Sequence, residues 1–379
     1  MVGAGHWEGI DPSHRTENLK NGPVGDNSII PVPRVSHTQM KAIILFVFAL
    51  LSLGSCFATG AGPDCGTRFQ DFKSRFGRSY QSAEEEHRRY VIFCDNLERA
   101  NTFNGADTAT FGVTKFSDLT VAEVTRMYLN YKPRGRQAGP VVQPSSSPVT
   151  LDSFDWRDHG AVTQVRDQGQ CGSCWAFSAV EEVESCWARK NGTLAELSPQ
   201  QVVSCDQGKF DMGCDGGDTV MTYVQYISAY GLQTESDYPY TSGTTGQDGP
   251  CLYNKSQVAV RVKGFEYATT PCFHDCARPA TFEDTLLKNL QKFAPVSICV
   301  CVDDKWFSYT GGVLSTNSSY AYPALNHCTQ LVGYGTDTGG KYWIMRNSWG
   351  KDWGVDGYMY LRYGLNLCGL TDEATFVTF

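Results

Sequence analysis

The sequence has no surplus of positive charge: 32 Lys and Arg stand against 40 Asp and Glu, for a formal net charge of −8. That excludes the basic footprint of a nucleic-acid surface, and no nucleic-acid partner is expected. It has no internal repeat. It also lacks an apolar run of the ~20 residues that a bilayer span needs. Charged residues make up only 19% of the chain, while 41% are apolar and 12% aromatic. A core of normal size is therefore available, and wholesale disorder is excluded. The length of 379 residues suits two or three domains. Cysteine, by contrast, is abundant. Fifteen of them point to an oxidising compartment, and an odd count leaves at least one unpaired within the chain.

The apolar run Ala42 to Leu53 follows Met40-Lys41 and precedes Gly54, Ser55, Cys56, Ala58 and Gly60. A Lys, about 12 apolar residues and then small residues make a secretory signal peptide, assigned to 40–62. A signal anchor is the alternative, since Ala42 to Pro63 carries no charge. Residues 1–39 are polar and rich in Gly and Pro, and are expected to be disordered or not translated, with Met40 as the start. Entry into the secretory route makes Asn191, Asn254 and Asn317 usable glycosylation acceptors.

Residues 65 to about 131 alternate charged and apolar positions at helical spacing, with Glu85, Arg89, Phe93 and Asn96 on one stripe. On periodicity alone this is an amphipathic helix with a solvated face. Lys132 to Pro148, rich in Pro, Gly and Ser, is expected to be an exposed linker open to proteolytic cutting. From Leu151 onward 16 basic residues face 26 acidic ones, net −10, whereas the preceding part is net +2. The two parts are expected to associate more weakly as acid protonates the carboxylates. The C-terminal part opens with a helix pattern, Cys174 to Lys190. Strand-like runs follow at Val258–Val262, Pro295–Val302, Cys328–Tyr334 and Tyr342–Arg346. Helices first and strands second indicate an α+β fold with two lobes.

Gln168-Gly-Gln-Cys171-Gly-Ser-Cys174-Trp175 sits at a loop-to-helix junction. A thiol in the first turn of a helix meets unpaired N–H groups and the positive dipole end, which favour thiolate. His327 lies 153 residues beyond Cys174, and Asn347 another 20 beyond that. Thiol, imidazole and amide from three distant segments form a nucleophile, its base and an orienting group. The residues CGSCW, the His before VGYG, and NSWG closely resemble the papain-like cysteine peptidases from about Asp155 to Phe379. The upstream piece resembles that family's inhibitory propeptide. Glu85, Arg89, Phe93, Asn96 and Asn104 match its helix motif, with Ala100 where Ile is usual. Gly112, Phe116 and Asp118 match its second motif, with Thr114 replacing Asn.

The resemblance implies a helical lobe and a β-barrel-like lobe with a cleft between them, behind a mainly helical propeptide. The expected divisions are propeptide 63–131, activation linker 132–150 and peptidase 151–379. Cys174 is then the nucleophile and His327 the base and acid. Asn347 orients the ring under Trp349, and Gln168 donates to the oxyanion together with the Cys174 N–H. Gly216, Gly217, Asp218, Thr219, Cys299, Leu325, Asn326, Cys328, Trp349 and Glu373 are expected to bind substrate. Glu373 lies at the floor of the pocket for the second residue upstream of the cut bond, where a carboxylate admits Arg besides Phe or Leu. No cofactor or metal is expected. The expected partners are peptide and protein substrates, the chain's own propeptide and cystatin-like inhibitors, with a monomeric enzyme in a lysosome, an acidic vacuole or outside the cell. Family pairing implies Cys171–Cys214 and Cys205–Cys251.

Cys272 and Cys276 are expected to bridge each other, with metal binding as the alternative. Cys368 lacks its usual partner, since 310–326 holds no Cys. Cys299 and Cys328 either bridge or stay as two buried thiols. A rival reading takes Cys171-x-x-Cys174 as a thiol–disulfide oxidoreductase motif, and a second takes the chain as an inactive binding homologue. The latter is disfavoured because Gln168, Cys174, His327 and Asn347 are all present. No His-bearing exopeptidase loop is recognisable, so an endopeptidase is expected.

Overall fold

The computed structural model describes residues 65–379, apart from 106–107, 135–136, 145–150, 209, 273–280 and 317–324. The expected N-terminal extension and signal segment, Asn317 and Cys276 lie outside the described residues.

Two helices open the described chain, α1 (Cys65–Arg75) and α2 (Ala83–Phe103). Ser82 starts α2 by accepting the Glu85 N–H at 3.1 Å, and Glu84, Glu85 and Glu86 complement the positive end of the helix. Phe69, Phe72 and Phe93 bury a small core between α1 and α2, and a Cys65–Cys94 disulfide ties the two helices together. A short strand β1 (Thr110–Phe111) follows, and then α3 (Val121–Tyr128), which begins with a Thr120–Glu123 capping box.

The stripe on α2 is not solvated. Phe93 is fully buried. Arg89 pairs with Glu85 at 2.7 Å and with Glu123 at 2.8 Å, and donates to the Asp118 carbonyl at 3.1 Å. Asn96 donates to the Ser117 and Leu119 carbonyls at 3.0 and 2.8 Å. Polar side chains here satisfy the backbone of a crossing loop that has no ladder of its own. Asn104 caps α2 and exchanges two bonds with Phe111, while Gly112 N–H donates to Ser308 O at 2.7 Å.

The longest helix of the C-terminal part is α4 (Cys174–Asn191), buried on nearly every side and stopped by Gly192 in the left-handed conformation. With α5 (Pro199–Cys205) and a helical stretch from Thr219 to Tyr230, it forms the helical half. The other half is built on strands β2 (Phe154–Asp155), β3 (Gly264–Tyr267), β4 (Val296–Val300), β6 (Val313–Leu314), β7 (His327–Asp337), β8 (Gly340–Arg346), β9 (Tyr358–Arg362) and β10 (Glu373–Thr378). They pair in the order β3-β10-β4-β7-β8-β9-β6, with β2 added on β7. The expected barrel-like closure does not occur, because β3 and β6 end an open sheet among the described residues. The run Val258–Val262 forms only one bridge, Leu232↔Val260, and the strand lies instead at Gly264–Tyr267.

Strand pairing and ring packing are among the contacts that join the N-terminal piece to this body. Strand β1 pairs antiparallel with β5 (Tyr309–Gly311), and Phe116 packs edge-on against Trp349 at 5.1 Å. The linker expectation also needs correction over 137–142. The Val142 N–H donates to the Tyr267 carbonyl, and Tyr267 N–H to that of Pro140, both at 2.8 Å, so this stretch lies along β3.

Candidate active site

Cys174 is the first residue of α4, preceded by Gly172 and Ser173. A side chain at Gly172 would meet Asn130 Nδ2 at 2.2 Å and Cys214 O at 2.4 Å, so only glycine lets these segments approach. A Cys171–Cys214 disulfide holds the turn. That bond occupies Cys171 and leaves Cys174 a thiol, which removes the oxidoreductase reading of the C-x-x-C motif.

Ser178 fixes α4 on the sheet, donating to Thr329 O on β7 and bonding Ser297 Oγ on β4, both at 2.7 Å. His327 opens β7. Burial raises the Cys174 thiol, and the backbone groups of Cys328, the residue after His327, and of Asn130, Trp175 and Tyr131 work against that rise. Asn347 follows β8, and its Oδ1 lies 2.8 Å from His327 Nε2. Because the same Oδ1 accepts the Ser348 N–H at 2.9 Å, it acts as an acceptor, so Nε2 carries the proton. His327 Nδ1 is then a buried lone pair with no other partner, suited to taking a proton. Trp349 covers the pair, its ring 5.0 Å from that of His327.

Gln168 Nε2 donates to Cys171 O at 3.0 Å and to Tyr128 O at 3.2 Å, while Ser348 Oγ donates to its Oε1. The Tyr128 carbonyl also faces the His327 ring. A carbonyl from the N-terminal piece thus sits where a reacting carbonyl would need its donor. Burial pushes the Cys174 thiol up and draws His327 down to about 4. Both shifts favour the neutral pair, so the covered site is a resting site.

Segment 130–132 lies along Gly217: Gly217 N–H donates to Asn130 O at 3.3 Å, and Lys132 N–H to Gly217 O at 2.9 Å. A side chain on Gly216 would reach within 2.2 Å of Asn130 O, and one on Gly217 within 2.5 Å of the Trp175 ring. Tyr131 N–H donates to Asn326 O at 3.1 Å, and Tyr131 belongs to the same buried cluster as Leu325, Cys299 and Cys328. Cys299 and Cys328 face each other across β4 and β7 and form a disulfide, which answers the open alternative at that pair. Glu373 is buried beside them, and its Oε1 accepts from Thr219 Oγ1 at 3.2 Å and touches Cys299 Sγ at 3.5 Å. Burial first, and then the Asp218 charge, push its carboxyl up to about 8.

The ten residues expected to bind substrate do not all share one place. Gly216, Gly217 and Asn326 border the backbone of 130–132, Cys299, Leu325 and Cys328 share a buried cluster with Tyr131, and Thr219 and Glu373 meet beside Cys299. Trp349 instead packs on His327 and Phe116. The Asp218 carboxylate is engaged by backbone, accepting from Val220, Met221 and Arg134 at 2.9, 3.0 and 2.9 Å. Cys205–Cys251 is bridged, and Cys272 is disulfide-bonded. Cys174, Cys186, Cys301 and Cys368 are thiols. Asn191 and Asn254 are exposed. Sequence reasoning missed Tyr131 and the Cys65–Cys94 bridge, and neither carries a local signature.

Comparison with known proteins agrees with this geometry. Residues 150–378 match the papain family cysteine protease domain, and residues 69–124 match the cathepsin propeptide inhibitor domain. Cysteine proteinase 15A of Pisum sativum is 37% identical over 323 residues, covering 80% of this chain and 83% of that protein. Cathepsin F of Mus musculus is 35% identical, covering 81% of this chain and 63% of that protein. The structure of digestive procathepsin L 3 from the Tenebrio molitor larval midgut superposes with a TM-score of 0.71 at 32% identity. The match spans 83% of this chain and 99% of that one. With its own inhibitory propeptide ahead of the peptidase part, this chain belongs to the papain family of cysteine proteases.

Proposed function

We propose that the protein is made as a secretory-pathway zymogen and, once its propeptide (63–131) and linker (132–150) are removed, cleaves peptide bonds in an acidic compartment. The observation that supports this reading is the Asn347–His327 bond, which holds Nε2 and leaves Nδ1 as the nitrogen free to take a proton. Cys174 gives its proton to His327 and its sulfur attacks the substrate carbonyl carbon. The oxyanion takes N–H bonds from Gln168 Nε2 and the Cys174 backbone, each worth on the order of 3 kcal/mol. His327 then protonates the leaving amine. It next takes a proton from water, whose oxygen attacks the thioester and releases the acid. Asn347 keeps the ring in the tautomer these steps need.

The other expectations are part of the same reading: a monomer, open to cystatin-like inhibitors, working in a lysosome, a vacuole or outside the cell. Glu373 at the pocket floor supports acceptance of Arg besides hydrophobic side chains. The test shifts purified zymogen to acid and follows mass, N-terminal sequence and peptide hydrolysis. Wild type should shorten and gain activity that an E-64-type epoxide abolishes by labelling Cys174, while Cys174→Ser stays full length. Hydrolysis by Cys174→Ser overturns the mechanism. In the processed enzyme, Glu373→Ala should cut hydrolysis after Arg-containing pairs more than after Phe-containing ones, and equal losses remove the Arg reading.

A further inference from the structure

Tyr131 is the most enclosed part of the segment that crosses the cleft, with 3% of its surface exposed. Its backbone is held on both sides, by Gly217 at Asn130 and Lys132 and by Asn326 at its own N–H. The side chain shares one buried cluster with the bridged Cys299 and Cys328 and with Leu325, which together form a slot at this end of the cleft. The bridge spans directly opposed residues of β4 and β7, so this wall cannot spread to admit a bulkier shape. The phenol hydroxyl is buried with no hydrogen-bond partner among the described residues, Glu373 Oε1 lies 3.5 Å from Cys299 Sγ beside the same cluster, and burial followed by the Glu373 charge pushes the phenol up.

We propose that this pocket selects tyrosine as the second residue upstream of the cleaved bond, reading the phenol hydroxyl with Glu373, and that Tyr131 is the chain's own copy of that preferred side chain. The inference rests on the peptidase reading above and on Glu373 forming the pocket floor, and not on Arg acceptance.

A flat ring fills the slot, and a hydroxyl at its tip can either donate to a carboxylate or accept from a carboxylic acid. Phe fills the same slot but leaves the buried carboxyl without that partner, which is the costly arrangement. Arg needs the anion. Burial beside Asp218 draws Glu373 toward its neutral form, with Thr219 as its remaining hydrogen-bond partner. A ligand that bonds either form is therefore better matched to this floor than one that requires the charge. A natural substrate would run along the same Gly217 edge and place its side chain in the same slot.

The test uses the processed enzyme and peptides identical except for the second residue upstream of the cut: Tyr, Phe, O-methyltyrosine or Arg. Expected kcat/KM for Tyr exceeds that for Phe by about tenfold, the net value of one buried hydrogen bond. O-methyltyrosine should fall below Phe, because its methyl group meets the floor. In Glu373→Leu the Tyr/Phe ratio should drop to one or below. Glu373→Gln, which keeps a hydrogen-bonding floor without ionising, should retain the Tyr preference and serves if the Leu variant does not fold. A wild-type ratio at or below one, or a ratio unchanged in Glu373→Leu, overturns the inference and leaves the peptidase reading standing. Failure to cleave any of the four peptides overturns both.

Discussion

Two buried groups of the covered site respond to acid with opposite signs. His327 is drawn down to about 4 from its ordinary 6.5 by burial, so in the covered site it resists protonation until the pH nears that value. Covering therefore loses stability as the pH falls from 6.5 toward 4. Glu373, raised from 4.5 to about 8, works in reverse: its contribution is full below 4.5 and is lost as the pH rises through 8. Acid loosens the seal at His327 and tightens it at Glu373. In the Cys174→Ser background, Glu373→Gln should hold an added propeptide more tightly than its parent near pH 7, with no difference near pH 4. Inhibition constants of the isolated propeptide cannot be read on an inactive enzyme, so binding is measured directly, by calorimetry across that pH range. An equal effect at both ends contradicts the assignment.

Among the elements, the α1–α2 pair carries the least core and the most cross-bracing. Phe93 is enclosed by Phe69 and Phe72, with ring centroids 5.4 and 5.1 Å away. Phe93→Ala should cost about 3–5 kcal/mol in this piece, seen as a lower first transition in the thermal melt and as premature activity of the zymogen. The peptidase transition should stay where it is. If both transitions fall together, the two parts melt as one unit. Cys65–Cys94 closes a separation of 29 residues across the same pair, and by loop-closure entropy such a bridge adds about 3–4 kcal/mol. Much of this was readable in the sequence and some was not. Glu85, Arg89, Phe93 and Asn96 announced a helix and one face of it. The partners of that face, the carbonyls of Ser117 and Leu119, have no side-chain signature, so periodicity alone pointed to solvent. Cys94 sits inside a helical pattern, where spacing says nothing about a partner on another helix. The residues proposed for catalysis carried local signals, because CGSCW, the His before VGYG and NSWG are each short motifs. Tyr131, one aromatic ahead of a polar stretch, becomes meaningful only when Gly217 and Glu373 arrive from far along the chain.

Over the molecule as a whole, the N-terminal piece shares a core with the peptidase instead of resting on it. Phe111, Phe116, Val124 and Tyr128 pack in one cluster with Trp306, Tyr309, Trp349 and Trp353. Lys115 adds a salt bridge to Asp167 and a bond to Trp349 O at 3.0 Å. The stretch across the cleft, meanwhile, is pinned by its backbone: Asn130 O accepts from Gly217 N–H, and the Tyr131 and Lys132 N–H groups donate to Asn326 O and Gly217 O. With the thiol held neutral by burial and the backbone over it fixed on both sides, that stretch resists the enzyme that it blocks. The first scission must then come from a second molecule already open, and conversion should start slowly, accelerate, and show a lag that shortens when more zymogen, or a trace of finished enzyme, is added. A time course with no lag at any dilution would mean that each molecule frees itself.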